Sequence, residues 1–338
     1  MIKVGINGFG RIGRCLARHI MSERNDMDLV QINASGGEAT NMHLLKYDSV
    51  HGRYQGPIHE PIIWSEERDI RLIKWYDVDV VFECTGAFRD GYACEHHISG
   101  GANKVVISAP AKNVDRTVVY GVNHTDISVN DEIISNASCT TNCLAPLVKV
   151  LDENFGVQSG QMTTIHSYTG DQSTIDKKHK DPYRSRAGGV NIIPTSTGAA
   201  KNIGIVYPPV NGKLMGSSIR VPTPNVSCID LTVNVEYEVN ELGINTALKE
   251  STLNGMKGII GYCDEPLVSS DFNTTKESCI FAPQQTRVVD NTMVRVLSWY
   301  DNEWAFSCRM ADVAKYLDKK TESKPYKYKV EKLSNFGF

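Results

Sequence analysis

The sequence GFGRIG at residues 8–13 lies directly after the apolar run VGIN and before the helix-like run RCLARHIMS. In a strand–turn–helix unit the three glycines have separate roles. Gly8 allows a tight turn, Gly10 lets a pyrophosphate approach the backbone, and Gly13 lets the helix pack on the strand. The free N–H groups at the start of the helix favour an anion. The motif therefore predicts a parallel α/β unit that binds a dinucleotide; the alternative is a glycine-rich turn without a ligand.

The rest of the first half repeats short β-branched runs, and the second half follows a different pattern. DLVQIN, VDVVFECTG, KVVISAP and TVVYGVN are strand candidates of a doubly wound parallel sheet. After residue 138, CTTNCLAPLVKVLDENFG predicts a helix, whereas MTTIHSYTG and SSIRVPTPNVSCIDLTVNVEYEV alternate as in an antiparallel sheet. The polar segment from Asp171 to Thr197 has no clear period, and a segment of that length in a compact chain is usually functional.

Composition limits the classes of protein that fit. The chain has 338 residues, enough for two domains, and its net charge of −3 gives no basic field that would attract nucleic acid. The N-terminus shows no signal-peptide pattern, and no apolar run reaches the roughly 18 residues that span a membrane. Nine cysteines with scattered spacing, without a CxxC pair, indicate reduced thiols and no metal site. We therefore expect a cytoplasmic protein without a nucleic-acid or membrane partner.

The run SNASCTTNCLAPL places Cys139 at the start of the predicted helix, between the capping residues Ser138 and Thr140. The helix dipole at that position favours a thiolate, which is the reactive form of cysteine. The alternative is a buried structural cysteine. Cys143 follows one helical turn later, and since no further metal ligands accompany it, a packed thiol is the better interpretation.

The run HSYTGD begins with His166 at the end of the strand MTTI. A histidine at a strand end near a helix-start cysteine is a candidate general base for that thiol. A hydrogen-bonded core histidine is an equally good interpretation, because the sequence does not show whether His166 and Cys139 meet.

Nine sequence blocks together identify a family resemblance. INGFGRIGR, LLKYDSVHG, CTGAF, VISAPAK, ASCTTNCLAP, HSYTGDQ, PTSTGAAK, RVPTPNVS and WYDNEW occur in the order and spacing of the phosphorylating glyceraldehyde-3-phosphate dehydrogenases. The chain resembles that family from residue 1 to about residue 320. The resemblance implies an α/β fold with a Rossmann dinucleotide-binding domain, residues 1–138 plus 304–320. It also implies an α+β catalytic domain with a mixed, largely antiparallel sheet, residues 139–303. Residues 321–338 are expected to be a C-terminal tail, to which we assign no role.

The resemblance also implies the reaction and its residues. Cys139 attacks the aldehyde of glyceraldehyde 3-phosphate, His166 takes the proton as a hydride leaves, and inorganic phosphate cleaves the resulting thioester. Family members are homotetramers. The residues implied for two anion pockets are Ser138, Thr140, Thr169, Asp171, Arg186, Thr197, Gly198 and Arg220. The residues implied for the dinucleotide are Gly8, Gly10, Arg11, Ile12, Gly13, Arg68, Thr85, Gly86, Ser108 and Asn302.

One departure from the family pattern concerns the choice of dinucleotide. NAD-using members have Asp directly after the position of Asn33, but this chain has Ala34, followed by Ser35 and two glycines. The missing carboxylate no longer binds the ribose hydroxyls and no longer repels a 2′-phosphate. Lys177 and Lys178 replace a common Leu-Pro in a loop that, in the family, reaches the adenosine of a neighbouring subunit's cofactor. Together these features predict that the enzyme accepts NADP and prefers it to NAD. The alternative is that the lysines are solvated loop charges and that both dinucleotides bind.

Two alternative functions remain at this stage. The sister activity is erythrose-4-phosphate dehydrogenase, in which water rather than phosphate releases the acid. The other is a redox-sensing or binding protein, because an exposed thiolate of low pKa is easily oxidised. The blocks PTSTGAAK and RVPT favour phosphorolysis, and a complete set of Cys, His and anion-pocket residues has no purpose in a protein that only binds.

Overall fold

The computed structural model describes residues 1–58 and 61–322. Up to residue 138 it contains mostly short strands separated by helices. In chain order these are β1 (Ile2–Asn7), α1 (Arg11–Glu23), β2 (Met27–Asn33), α2 (Glu38–Lys46), β3 (Tyr47–Asp48), β4 (Gly52–Arg53), β5 (Ile63–Ser65), β6 (Val80–Glu83), α3 (Gly91–Ser99), β7 (Lys104–Ile107), β8 (Arg116–Thr117) and β9 (Ile133–Ser135).

From residue 139 the chain contains several longer strands, and helices lie between some of them. The elements are α4 (Cys139–Phe155), β10 (Val157–Ser167), β11 (Ile193–Thr195), α5 (Ala199–Val206), β12 (Leu214–Val221), β13 (Ser227–Val235), α6 (Glu241–Leu253), β14 (Ile260–Tyr262), β15 (Cys279–Phe281), β16 (Arg287–Val289), β17 (Met293–Tyr300) and α7 (Trp304–Glu322).

The first sheet has seven strands in the order β5-β2-β1-β6-β7-β9-β8, and every pair in it is parallel. All four residues of β6 and of β7 are buried, as expected for strands covered on both faces. The strand order reverses at β1, between β2 and β6. In open parallel sheets a ligand binds beyond the carboxyl ends of the strands at this point. The predicted doubly wound α/β fold is therefore confirmed.

The second sheet has eight strands and is mixed, as predicted. Its main path is β11-β12-β10-β13-β17-β15-β14, and β16 pairs with β17. Only β10 with β12 and β14 with β15 are parallel; the other pairs are antiparallel. Along β17 buried residues alternate with more exposed ones, so one face of the sheet is packed. Helices α4, α5 and α6 cover that face.

Helix α7 returns to the first sheet although the chain before it belongs to the second. Phe306, Met310 and Leu317 are buried in one core with Ile6 and Leu16. The C-terminal helix therefore completes the core of the N-terminal sheet. The predicted tail, residues 321–338, overlaps the end of α7 at Glu322, and the remainder lies outside the described residues.

Two details of the strand prediction were wrong. TVVYGVN is not a strand; only Arg116 and Thr117 pair, and Val118 and Val119 are fully buried in the loop that follows. The apolar run reflects burial and not pairing. The strands that were not predicted are β3, β4, β5, β9, β11, β14, β15, β16 and β17. Within the described residues, no helix has the length and apolar character needed to cross a membrane.

Candidate active site

The site begins at the first turn of α4, where the sequence predicted a helix start. Ser138 is the N-cap, and its hydroxyl accepts a hydrogen bond of 3.0 Å from the backbone N–H of Thr141. Cys139 is therefore the first residue of the helix. The preceding Ala137 has a φ of 55°, a conformation unusual for a residue with a side chain. Strained backbone of this kind occurs often at functional sites.

The structure brings Cys139 and His166 together. Sγ of Cys139 lies 3.6 Å from Nε2 of His166, which stands near the end of β10. On the other side of the ring, Nδ1 lies 2.8 Å from the carbonyl oxygen of Ser167. Since a carbonyl can only accept, we assign the imidazole proton to Nδ1. The lone pair of Nε2 then faces the thiol, as a general base requires.

Both groups are uncharged in the free protein. Burial, followed by the charge of Arg220, lowers the pKa of His166 to about 3. Burial also raises the pKa of the Cys139 thiol above its usual value, although Arg220, the Thr140 hydroxyl and backbone N–H groups of the first turn oppose this shift. The sequence predicted that the helix start would favour a thiolate. The stabilising N–H groups are present, but in the unliganded protein desolvation outweighs them.

A cavity of about 270 Å³ surrounds this pair. Three guanidinium groups line it, and no carboxylate of the described chain does. The lining residues are Arg89, Pro110, Ser138, Cys139, Thr140, Thr164, His166, Arg184, Ser196, Thr197, Gly198, Ala199, Asn202, Ser218 and Arg220. A thiol beside three cations is suited to anionic, electrophilic substrates.

Arg220 reaches the pair because β10 and β12 run parallel with His166 opposite Arg220. Its Nη1 lies 2.9 Å from the carbonyl oxygen of Ser167 and 3.0 Å from Nδ1 of His166. The carbonyl accepts the Nη1–H bond. Within the described chain Arg220 forms no ion pair, and its buried Nε has no hydrogen-bond partner. An arginine in that state is ready to bind an anion.

The second arginine of the cavity is Arg184, and this differs from the sequence prediction. Arg186 was predicted, but its Nε pairs with Asp176 at 2.7 Å between two well-exposed side chains outside the cavity. Arg184 instead donates to Asp171 at 2.8 Å and to the Thr195 hydroxyl at 3.0 Å. The sequence RSRAG offered two arginines two residues apart, and only the packing of the loop decides which one faces inward.

The other predicted anion-pocket residues lie in or beside this cavity. Ser138, Thr140, Thr197 and Gly198 line it directly, and Gly198 precedes the first turn of α5. Thr169 lies beside the lining, at 3.5 Å from Nη1 of Arg220. Asp171 orients Arg184 and does not itself line the cavity.

Tyr300 is a site residue that the sequence reasoning did not single out. Its ring packs edge-on against the imidazole of His166, with centroids 5.9 Å apart. Its buried hydroxyl lies 3.0 Å from the hydroxyl of Thr140 and 2.8 Å from that of Thr164. Tyr300 therefore joins β17, β10 and α4 behind the cysteine–histidine pair. Its position at the start of WYDNEW was the available signal.

A second cavity, of about 480 Å³, lies beyond the carboxyl ends of the first sheet, where a dinucleotide was predicted. Its lining residues are Asn7, Gly8, Phe9, Gly10, Asn33, Ala34, Ser35, Asn41, Glu67, Arg68, Ile73, Cys84, Thr85, Ala87 and Phe88. We call it the dinucleotide groove. Of the predicted cofactor residues it contains Gly8, Gly10, Ala34, Ser35, Arg68 and Thr85.

The glycines of the groove fit a bound pyrophosphate. Gly8 has a φ of +91°, and a Cβ there would lie 2.6 Å from the backbone N of Thr85. A Cβ on Gly13 would lie 2.2 Å from the carbonyl oxygen of Gly8. At Gly10, by contrast, the space is open for 4 Å. The first and third glycines thus permit close packing within the protein, and the second leaves room for a ligand.

The remaining predicted cofactor residues do not line the groove of their own chain. The side chain of Arg11 pairs with Glu303 and Asp48, and Arg11 does not line the groove. Asn302 is buried, and its Oδ1 accepts bonds of 2.9 Å from the hydroxyls of Ser167 and Ser227. The others outside the lining are Ile12, Gly13, Gly86, Ser108, Lys177 and Lys178.

A buried polar network forms the floor of the groove, and the sequence analysis did not predict it. The carboxylate of Glu83 accepts bonds from Nδ2 of Asn7 at 2.6 Å and from the backbone N–H of Thr85 at 2.8 Å, and lies 3.0 Å from Nε2 of His97. Asn33 donates to Oδ1 of Asn7 at 2.8 Å. The network fixes the loop that carries Thr85 against the ends of three strands.

Among the described residues, one group has metal-ligating side chains close together: Cys15, His51 and Glu303, with candidate ligand atoms within 4.8 Å of one another. The guanidinium of Arg11 pairs with Glu303, and Nδ1 of His51 lies 2.9 Å from the Thr274 hydroxyl. A cation there would be repelled by Arg11. The cluster is therefore an ion-pair network that ties α1 to α7.

A parallel dinucleotide-binding sheet beside a cysteine–histidine pair in a cationic cavity defines a dehydrogenase with a sulfur nucleophile. Two family profiles match the chain: the NAD binding domain of glyceraldehyde 3-phosphate dehydrogenase over residues 2–91, and its C-terminal domain over residues 138–302.

Individual relatives agree. The glyceraldehyde-3-phosphate dehydrogenase of Cereibacter sphaeroides is 49% identical, over 93% of this chain and 97% of that protein. That of Xanthobacter flavus is 49% identical, over 94% and 99%. Glyceraldehyde-3-phosphate dehydrogenase 2 of Bacillus subtilis is 46% identical, over 94% and 96%. The chain belongs to the glyceraldehyde-3-phosphate dehydrogenase family and is an NAD(P)-dependent oxidoreductase.

Proposed function

We propose that this enzyme oxidises glyceraldehyde 3-phosphate to 1,3-bisphosphoglycerate, with inorganic phosphate as the second substrate. The observation that carries the proposal is the 3.6 Å contact between Sγ of Cys139 and Nε2 of His166, inside a cavity lined by three guanidinium groups. The pair supplies a nucleophile and a base, and the guanidinium groups suit the two phosphates of the reaction.

The first step uses the neutral pair. The Cys139 thiol gives its proton to Nε2 of His166 while the sulfur bonds to the aldehyde carbon. The imidazolium then returns that proton to the aldehyde oxygen, which gives a hemithioacetal and a neutral His166. Arg220 lowers the pKa of His166 in the free protein. A phosphate bound to that guanidinium offsets its charge, so substrate binding makes the imidazole a stronger base when the base is needed.

The second step converts the hemithioacetal to a thioester, and His166 accepts the proton of its hydroxyl. The nicotinamide, when bound, supplies the hydride acceptor. Inorganic phosphate then attacks the thioester carbon and the carbon–sulfur bond breaks. The Cys139 thiolate recovers a proton from His166, and the proton of the attacking phosphate goes to solvent. The phosphate acts as the nucleophile within the same cationic cavity, in which Ser138, Thr197 and Gly198 offer hydroxyl or backbone N–H groups.

We further propose that the enzyme accepts NADP in preference to NAD. Ala34 and Ser35 line the dinucleotide groove at the end of β2, and Arg68 adds a cation there. Glu67 is the one acid in the lining, and its Oε1 accepts a 2.9 Å bond from the backbone N–H of Asp69. The groove therefore offers a hydroxyl and a guanidinium to a 2′-phosphate.

The proposed role of the two lysines in NADP binding depends on the predicted homotetramer. Lys177 and Lys178 are exposed and lie outside the groove of their own chain, so contact with a 2′-phosphate requires a neighbouring subunit.

All nine cysteines carry free thiols, in agreement with a reducing compartment such as the cytoplasm.

Initial rates with glyceraldehyde 3-phosphate test these proposals, measured with NADP⁺ or NAD⁺ and with or without inorganic phosphate. We expect phosphate-dependent reduction that is faster with NADP⁺ at equal, subsaturating dinucleotide concentrations. Turnover without phosphate would instead favour the hydrolytic reaction of erythrose-4-phosphate dehydrogenases, and erythrose 4-phosphate is the matched second substrate. A preference for NAD⁺ would contradict the cofactor proposal alone.

A further inference from the structure

Arg89 lies between the two cavities, on the loop that follows β6. Thr85, Ala87 and Phe88 of this loop line the dinucleotide groove, whereas Arg89 lines the cavity of Cys139. The other two cavity arginines come from beyond residue 138. Arg89 is therefore the one cation that the dinucleotide-binding half places in this cavity, and no step described above assigns it a contact of its own.

The position of Arg89 is built into the fold. Its Nε donates to the carbonyl oxygen of Gly86 at 2.9 Å, and its own carbonyl oxygen accepts a 3.1 Å bond from the backbone N–H of Lys112. Gly91 then donates to the carbonyl oxygen of Lys112 at 2.8 Å. A Cβ on Gly91 would lie 1.8 Å from the carbonyl oxygen of Asn113, so a glycine is needed for this approach. Arg89 is an exposed residue, but the bond of its Nε to the loop holds the side chain where it lines the cavity.

The charge of Arg89 is available to a ligand. Arg184 is already paired with Asp171 and Asp181. Arg89 forms no ion pair with any residue that the structure describes, and its recorded side-chain bond uses only Nε. The two terminal nitrogens of Arg89, Nη1 and Nη2, can therefore donate hydrogen bonds to a ligand. A guanidinium in this state matches the oxygen atoms of a phosphate in a two-point contact.

We propose that Arg89 is a phosphate-binding residue of the Cys139 cavity. The inference rests on the proposed function, because that reaction brings two phosphates into the cavity, one on the aldehyde and one as the attacking nucleophile. Apart from Arg89, the cavity has one arginine without an ion pair among the described residues, Arg220. A bound acyl phosphate product carries more negative charge than Arg220 alone can offset. Either phosphate would bind Arg89 as a dianion. The kinetic experiment distinguishes the phosphate of the aldehyde from inorganic phosphate.

A first experiment needs no turnover. Alkylation of Cys139 by iodoacetate, an anion, is compared with alkylation by neutral iodoacetamide in the wild type and in Arg89→Leu. We expect the ratio of the iodoacetate rate to the iodoacetamide rate to fall roughly two- to fivefold, as for the loss of one partly screened charge contact. The control is Arg287→Leu, since Arg287 is exposed, bonds only to the carbonyl oxygens of Gln284 and Thr286, and lies outside the cavity. An unchanged ratio in Arg89→Leu would overturn the proposal.

The second experiment measures the Michaelis constants of Arg89→Leu and Arg89→Lys for each substrate. We expect the KM for inorganic phosphate or for glyceraldehyde 3-phosphate to rise roughly tenfold in Arg89→Leu, less in Arg89→Lys, with the KM for the dinucleotide within twofold of wild type. Which KM rises identifies the phosphate. A change confined to the dinucleotide would overturn the proposal. A wild type without phosphate-dependent activity would refute the proposed function, while the alkylation ratio would still report on Arg89.

Discussion

At the scale of single residues, the charge state of the cysteine–histidine pair depends on its neighbours more than on its own chemistry. Cys139 and His166 are both uncharged because burial opposes a thiolate and an imidazolium alike. Arg220 acts on both, since its charge favours a thiolate and disfavours an imidazolium. A substrate phosphate at Arg220 offsets that charge, which makes the imidazole a stronger base and removes one of the charges that favour the thiolate.

His166→Asn removes the base while keeping a polar side chain of similar size. We expect kcat to fall by roughly 10²- to 10⁴-fold, the usual contribution of a positioned general base. Dinucleotide affinity should stay the same, because His166 does not line the dinucleotide groove. Steady-state kinetics combined with a fluorescence titration of the dinucleotide measures both. A variant with kcat near wild type would assign His166 a structural role only.

The pH dependence of thiol alkylation tests the charge state of Cys139 in the free enzyme. Only the thiolate reacts, so the rate rises as pH increases through the pKa of the thiol. Because burial raises that pKa above its usual value, the iodoacetamide rate of the wild type should still be rising at alkaline pH. Arg220→Gln removes a charge that lowers the pKa and should shift the curve to higher pH. A plateau near pH 7 would mean that the first turn of α4 stabilises the thiolate more than burial opposes it.

At the scale of elements, the turn between β1 and α1 separates packing from ligand binding within six residues. Gly8 and Gly13 permit close approach of the turn to the loop after β6 and of α1 to the turn. Gly10, between them, faces open space. Glycine therefore serves two purposes in one motif: close packing at Gly8 and Gly13, and space for a ligand at Gly10.

Gly10→Ala and Gly13→Ala form a matched pair that tests this division. Gly10 has a φ of −74°, which alanine adopts without strain, so its variant should keep the melting temperature of the free enzyme within about 2 °C and weaken dinucleotide binding. In Gly13→Ala the new Cβ meets the Gly8 carbonyl, and overpacking of this kind costs about 1–3 kcal/mol. That variant should therefore lose stability as well as affinity. Equal melting temperatures for the two variants would refute the division.

At the scale of the whole molecule, the proposed cofactor preference involves parts of the structure that one chain does not bring together. Ala34 and Ser35 lie in the dinucleotide groove, but Lys177 and Lys178 are on an exposed loop after β10, outside it. The proposed NADP preference therefore combines a local property of β2 with the association of subunits. Light scattering is expected to give the mass of four chains.

The triple variant Ala34→Asp, Lys177→Leu, Lys178→Pro tests this combination. The new carboxylate would bind the ribose hydroxyls and repel a 2′-phosphate, and the loss of the lysines removes positive charge. We expect kcat/KM to favour NAD⁺ over NADP⁺ by several-fold in the triple variant. Ala34→Asp alone should give part of the change, and the double lysine variant the remainder if the loops meet in the tetramer. A triple variant that keeps its NADP preference would refute this explanation.

Much of the fold and of the candidate site was predictable from local pattern. The glycine motif and the β-branched runs predicted the parallel sheet, because a dinucleotide-binding turn and buried strands have short-range signatures. The capping residues around Cys139 predicted the start of α4, since capping depends on neighbouring residues only. The run TVVYGVN shows the limit, because an apolar stretch signals burial and its pairing partner decides whether it is a strand.

What the sequence by itself determined is therefore the identity of the groups: a helix-start cysteine, a strand-end histidine, the glycine turn and the missing acid at Ala34. The tertiary structure decided which of them meet. The parallel register of β10 and β12 places His166 opposite Arg220, and loop packing selects Arg184 over Arg186. The loop after β6 brings Arg89 to the same cavity. Long-range register and loop packing depend on contacts between residues far apart in the chain, and a local sequence pattern contains no record of those contacts.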